Sequence, residues 1–192
     1  PGTGKTTSLL NIVEEALSRG IPPERIAYLA FTRKAAYEAQ ERAMAQFGFE
    51  EGRFPYFRTL HSLAFKELGM QRDEVMTDSH YRKFGKAMGI EFRGIYDENI
   101  GLHTGDGLGD KCSRIESLAR MGLRNIEDQM AITNINDLST HAVKQYHSAL
   151  VAYKKDNGVY DFTDMLEKYN SQLPVDICIF DEAQDLSSAQ YK

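Results

Sequence analysis

Two short segments at opposite ends of the chain carry residue types that can do phosphate chemistry. The run Pro1-Gly2-Thr3-Gly4-Lys5-Thr6-Thr7 reads as the back end of G-x-x-x-x-G-K-[ST], with the leading glycine falling two positions before Pro1. Gly2 and Gly4 allow φ > 0, so successive backbone N–H groups can converge on phosphate oxygens. Lys5 would reach the β- and γ-phosphates of a nucleotide, and the Thr6 hydroxyl would ligate its Mg²⁺. The residues after it have apolar spacing at Leu9, Ile12, Val13 and Ala16, which predicts the helix whose N-terminus a bound anion needs. The whole run 1–7 is therefore expected to line a nucleotide.

The second segment is Val175-Asp176-Ile177-Cys178-Ile179-Phe180, a short apolar run that delivers Asp181-Glu182-Ala183-Gln184-Asp185. Alone, an acidic pair after a strand is more often a solvated turn. Beside a lysine loop in the same chain it reads as an ATPase edge, with Asp181 on the metal side and Glu182 polarising the attacking water. Gln184, two residues past the glutamate, is placed to sense the γ-phosphate.

Two middle segments have the same strand-to-edge form. Arg25–Phe31 is rich in strand formers and runs into Thr32-Arg33-Lys34; a helix follows with Ala36, Ala39, Ala43 and Phe47 on one stripe. Phe31, Thr32 and Arg33 would leave such a strand at its carboxyl end, where an aromatic, a hydroxyl and a cation suit a single nucleic-acid strand. From the residues alone, Phe31 as core and Arg33 as a solvated cap is an equally good reading. Phe57-Arg58-Thr59-Leu60-His61-Ser62 predicts a further strand ending at a helix start, with Thr59 and His61 at the edge. A lone histidine is more often a packing residue than a catalytic one.

Five segments, PGTGKTT, LAFTRKAAYEAQERA (29–43), FRTLHSLAFKEL (57–68), YDFTDML (160–166) and ICIFDEAQDLSSAQY (177–191), occur in one order and together resemble the UvrD/Rep/PcrA-like superfamily-one DNA helicases. They cover about a third of the chain, and the DEAQD form points to that branch. The resemblance implies a RecA-like P-loop NTPase parallel sheet with helices on both faces plus an all-helical inserted subdomain, an α/β fold. It implies ATP and Mg²⁺ as cofactors and hydrolysis coupled to movement on single-stranded DNA at a duplex junction. It assigns Phe31, Thr32, Arg33, Thr59 and His61 to DNA contact or coupling. Leu60 stands where relatives commonly carry Phe, which puts a stacking role at 60 in doubt. It also implies a second, C-terminal RecA-like lobe supplying arginines to the transition state, so these 192 residues alone are expected to bind nucleotide weakly and hydrolyse it hardly at all.

These residues need a scaffold of alternating strands and helices. Residues 1–70 and 160–192 read as that scaffold, the two parts of an ATP-binding lobe, and 71–159 as the helical insertion. Helices are predicted at Ser79–Met88, Lys111–Met121 and Thr140–Lys155, the last with Ala142, Val143, Tyr146, Ala149, Leu150 and Tyr153 on one stripe. Gly101–Gly109, with four glycines, predicts a mobile loop. Asp161 is expected to cap the helix that follows it, with Asp164 in its first turn.

Composition sets outer bounds. A chain that is 42% hydrophobic and 27% charged folds, and no apolar run nears the ~20 residues that span a bilayer, which excludes an integral membrane protein. Two distant cysteines, Cys112 and Cys178, suit a reducing, intracellular (cytoplasmic or nucleoid) setting. Net charge is −5, yet residues 19–86 carry +3, a mild basic bias that is more often a solvated face and gives only weak support for a polyanion partner. Rival readings are a degenerate P-loop scaffold or regulatory module, although Lys5, Thr6, Asp181 and Glu182 are intact, and a nucleotide kinase, which has no use for FTRKAA, TLHS or DEAQD. A dinucleotide-binding fingerprint fails because Thr7 stands where its third glycine would be.

Overall fold

The computed structural model describes residues 5–50, 52–98, 101–135 and 137–191, with the side chains of Lys5, Thr6, Asp185 and Tyr191 outside the description. The chain divides into two compact units, one built from residues 1–67 and 170–186, the other from 68–169 and 187–192.

The first unit is a parallel sheet of three strands flanked by helices. Helix α1 (Lys5–Ser18) leads to β1 (Ile26–Ala30), α2 (Arg33–Phe47), β2 (Phe57–Thr59) and α3 (Leu60–Glu67); β5 (Ile177–Phe180) then completes the sheet in the order β2-β1-β5. All five residues of β1 are buried, as an apolar central strand of a parallel sheet must be. Ile26, Tyr28 and Ala30 join Leu10, Val13 and Ala16 of α1, Ala36, Ala39 and Ala43 of α2, and Ile179 of β5 in one core. The alanine stripe of α2 thus does what its spacing predicts, bringing a helix backbone close to the sheet. On α1 the buried face differs from the expected one: Leu10 is buried and Ile12 is 44% exposed, so the stripe runs through 10, 13 and 16.

β5 is fastened to β1 at both ends. At the start, Asp176 N donates to Arg25 O (2.8 Å), and the Arg25 guanidinium grips the Asp176 carboxylate, Nε to Oδ2 at 2.6 Å. This pair raises the Arg25 pKa and lowers that of Asp176, in each case chiefly through the side-chain hydrogen bond. At the far end, Asp181 N donates to Leu29 O at 2.8 Å.

The second unit is mostly helical: α4 (Asp78–Met88), α5 (Leu108–Met121), α6 (Ile126–Thr133), α7 (Thr140–Asn157), α8 (Phe162–Lys168) and α9 (Ser188–Tyr191). Val143, Tyr146 and Leu150 of the expected α7 stripe are buried, and so is Lys154. The unit takes in residues 160–169, which sequence reading placed in the sheet part. It also holds a two-stranded antiparallel ladder that the sequence did not announce, β3 (Tyr96–Asp97) with β4 (Leu102–His103).

The glycine-rich segment is tied down here where a mobile loop was expected. Buried Asp110 accepts hydrogen bonds on Oδ2 from the backbone N–H groups of Arg93 (2.8 Å), Gly94 (3.1 Å) and Gly107 (3.0 Å). A Cβ on Gly94 would stand 2.1 Å from Gly105 N, so these two glycines are required by backbone touching backbone.

Candidate functional site

In a parallel sheet every strand ends at the same edge, so topology alone gathers the segments that follow them. The register pairs Ala30 with Thr59 and Leu29 with Phe180. Phe31-Thr32-Arg33, Leu60-His61 and Asp181-Glu182 therefore share the carboxyl edge. β1 lies between the other two strands, which puts the Thr59–His61 and Asp181–Glu182 segments about two strand spacings, ~10 Å, apart.

Asp181 leaves β5 on the face it shares with Ile179, whose register partner is Tyr28. The Tyr28 phenol, with no exposed surface, donates to Asp181 Oδ2 at 2.8 Å. Glu182 follows with φ +56 and ψ 44, a left-handed conformation that a glutamate adopts only under constraint. Gln184, exposed in the short 3₁₀ turn Ala183–Asp185, donates through Nε2 to Glu182 Oε2.

The two threonines at the edge both work as helix caps. Thr32 Oγ1 accepts from Ala35 N (3.2 Å) at the start of α2, and Thr59 Oγ1 accepts from Ser62 N (3.2 Å) in the first turn of α3. Each oxygen is thereby engaged in local structure, while its O–H remains a donor. Phe31 is half-buried and Arg33 exposed. Burial, with a smaller contribution from the Arg33 charge, pushes the His61 pKa down to about 4, so its imidazole is neutral at ordinary pH.

The other predicted site residues lie at the start of the chain. Pro1, Gly2, Thr3 and Gly4 lie outside the described residues. Lys5 and Thr6 open α1, but their side chains, and with them the Lys5–Asp181 separation, lie outside the description as well. Thr7 is exposed in the first turn of α1.

A family model for the UvrD/REP helicase N-terminal domain matches residues 1–192. The chain belongs to the UvrD/REP helicase family. Among curated proteins it is similar to the "Putative ATP-dependent DNA helicase YjcD" of Bacillus subtilis (strain 168), at 26% identity over 212 residues. That alignment takes in 100% of this chain and 26% of the relative, so the chain spans about a quarter of the relative's length. For a UvrD/REP N-terminal domain, the parallel sheet flanked by helices is the expected architecture, and the strand-to-edge reading of β1, β2 and β5 agrees with it.

Use of ATP by this family brings Mg²⁺ with it. Mg²⁺ takes hard oxygen ligands and is held by one or two carboxylates plus substrate phosphates. An Asp-Glu pair at a sheet edge fits that donor set. Among the described residues no group of three or more His, Cys, Asp or Glu is placed to hold a metal ion.

Tyr28 is the site residue that sequence reading missed. Its signal was present: a tyrosine inside the aliphatic strand Ile26-Ala27-Tyr28-Leu29-Ala30 must bury a phenol, and a buried phenol needs a partner.

Proposed function

We propose that this chain is the ATP-binding part of a DNA helicase that couples ATP hydrolysis to movement along single-stranded DNA. In this reading residues 1–70 and 160–192 form the ATP-binding lobe and 71–159 are inserted into it, with 160–169 the returning segment that packs in the helical unit. The observation that carries the proposal is the shared carboxyl edge, where the acids after β5 and the Phe31-Thr32-Arg33 segment after β1 sit on adjacent strands.

On that edge each residue has a stated task. The Gly2–Thr7 loop and Lys5 hold the triphosphate, and Thr6 with Asp181 holds its Mg²⁺, which when bound neutralises charge developing on the phosphates. Glu182 orients and deprotonates the attacking water, and Gln184, bonded to Glu182, reports the γ-phosphate to the DNA-facing segments. Arg33 contacts phosphates and Phe31 stacks on a base. Thr59, buried at the strand end, and His61, neutral through burial, couple the DNA-facing edge to the ATP site. A second lobe of the complete protein supplies arginines, so the 192 residues alone turn over ATP hardly at all.

The test uses the complete protein: ATPase rate with and without single-stranded DNA, for wild type and for Lys5→Ala and Glu182→Gln. The expected result is DNA-stimulated turnover in wild type and a loss of about 10²-fold or more in either variant. Turnover indifferent to DNA, or a biological activity that survives Lys5→Ala, would overturn the reading and favour a P-loop scaffold.

A further inference from the structure

The hydrogen bond from Tyr28 to Asp181 goes beyond the motif residues, because it begins in the interior of the sheet. We propose that Tyr28 is a positioning residue for the magnesium site: its phenol fixes the Asp181 carboxylate in the one orientation that presents the other oxygen to the metal. The inference rests on the reading of Asp181 as the metal-side carboxylate.

An aspartate carboxylate rotates easily about its last torsion, so a lone aspartate at a strand end offers a metal a range of geometries. Here Asp181 is held twice by β1, through its backbone N–H on Leu29 O (2.8 Å) and through Oδ2 under the Tyr28 hydroxyl (2.8 Å). The donor cannot wander. Tyr28 is wholly buried and stacks on Phe57, ring centroids 5.2 Å apart and planes 21° apart. Phe57 packs in turn on Phe54 at 4.6 Å, and Phe54 has no exposed surface. The carboxylate is thus referred to the core through aromatic packing.

A second consequence concerns Mg²⁺ itself, which demands near-ideal octahedral geometry and tolerates misplaced ligands poorly. Partners of metal ligands that orient them alter metal affinity by about 10–100-fold when removed. Tyr28→Phe deletes the hydroxyl and keeps the ring, so it isolates orientation from packing.

The experiment uses the complete protein, with Mn²⁺ as a spectroscopic stand-in for Mg²⁺. Mn²⁺ binding is measured by electron paramagnetic resonance in the presence of a non-hydrolysable ATP analogue, for wild type, Tyr28→Phe and Asp181→Asn. Analogue binding in EDTA and melting temperature are measured alongside. Tyr28→Phe is expected to weaken Mn²⁺ binding about 10-fold, to lower kcat, and to leave metal-free analogue binding and KM at saturating Mg²⁺ within about twofold. Unchanged Mn²⁺ binding in Tyr28→Phe, with Asp181→Asn abolishing it, overturns the role of Tyr28 and leaves the site reading standing. Loss of metal-free analogue binding in Tyr28→Phe makes Tyr28 a packing residue and also overturns it. Asp181→Asn binding Mn²⁺ like wild type removes the site reading, and the proposal with it.

Discussion

Lys154 Nζ lies 2.6 Å from Asp161 Oδ2, and both side chains are buried. Arg120 Nη1 reaches the same oxygen at 2.9 Å, and Asp164 receives both Lys154 and Arg120. Asp161 and Asp164 also accept each other's backbone N–H, at 2.8 and 2.9 Å, closing a capping box at the start of α8. The DFTDM segment is therefore the electrostatic centre of the helical unit, in keeping with the structural role expected of it. Burial alone would raise the Asp161 pKa; Arg120 and Lys154 overcome it and hold it below the ordinary value.

Asp161→Ala should be strongly destabilising for this unit, costing about 2–4 kcal/mol, because it removes a helix cap and leaves Asp164 as the one remaining carboxylate on buried Lys154. Lys154→Met should cost less, about 2 kcal/mol, since Arg120 still satisfies Asp161. Urea unfolding of the two variants checks the order. A larger loss in Lys154→Met would mean that the lysine, and not the aspartate, organises the cluster.

His103 gives the helical unit a pH dependence. It is 1% exposed, boxed by Tyr81, Phe92 and Tyr96, and its Nδ1 lies 2.9 Å from Ser113 Oγ. Burial pushes its pKa down to about 4, against pulls upward from Asp110 and Asp78. The unfolded histidine titrates near 6.5, so below that pH the unfolded state binds the extra proton and stability falls as pH drops from about 6.5 toward 4. Stability at pH 5 should be about 2 kcal/mol lower than at pH 8 on this account. His103→Phe should lose that part of the pH dependence; an identical pH profile would show that other groups carry it.

Glu182 separates strain from chemistry. Its φ of +56 suits glycine or asparagine better than glutamate. Glu182→Asn should leave thermal stability of the chain unchanged or raise it by up to about 1 kcal/mol, while cutting ATPase of the complete protein by about 10²-fold or more. A melting temperature that falls would mean the glutamate side chain stabilises the turn.

Arg33 and Phe31 are expected to fail in different ways. Arg33→Ala should weaken single-stranded DNA binding evenly across sequences and reduce the salt slope by about 0.7, one phosphate's worth. Phe31→Ala should cost about 1–3 kcal/mol of affinity with the slope unchanged. Binding isotherms at several salt concentrations distinguish the two, and a Phe31 variant that binds normally would assign the ring to the core.

The chemistry-bearing positions were legible because each sits where an apolar strand stops. Arg25–Phe31 announces β1, ICIF announces β5, and alternation of strands with helical stripes announces a parallel sheet whose strand ends must coincide. Local spacing also gave α2 its alanine face and Asp161 its capping role, since both depend on residues three or four apart. What tertiary structure alone decided are relations between residues remote in sequence. Tyr28 meets Asp181 across 153 positions, Arg120 meets Asp161 across 41, and Asp110 gathers the backbone of Arg93 and Gly94, turning a glycine run that reads as loose into a packed corner. Sequence patterns report which face of an element is apolar; they do not report which polar group waits on the other side of the strand. That pairing is set by the register of the sheet and the packing of helices, and only the folded chain supplies it.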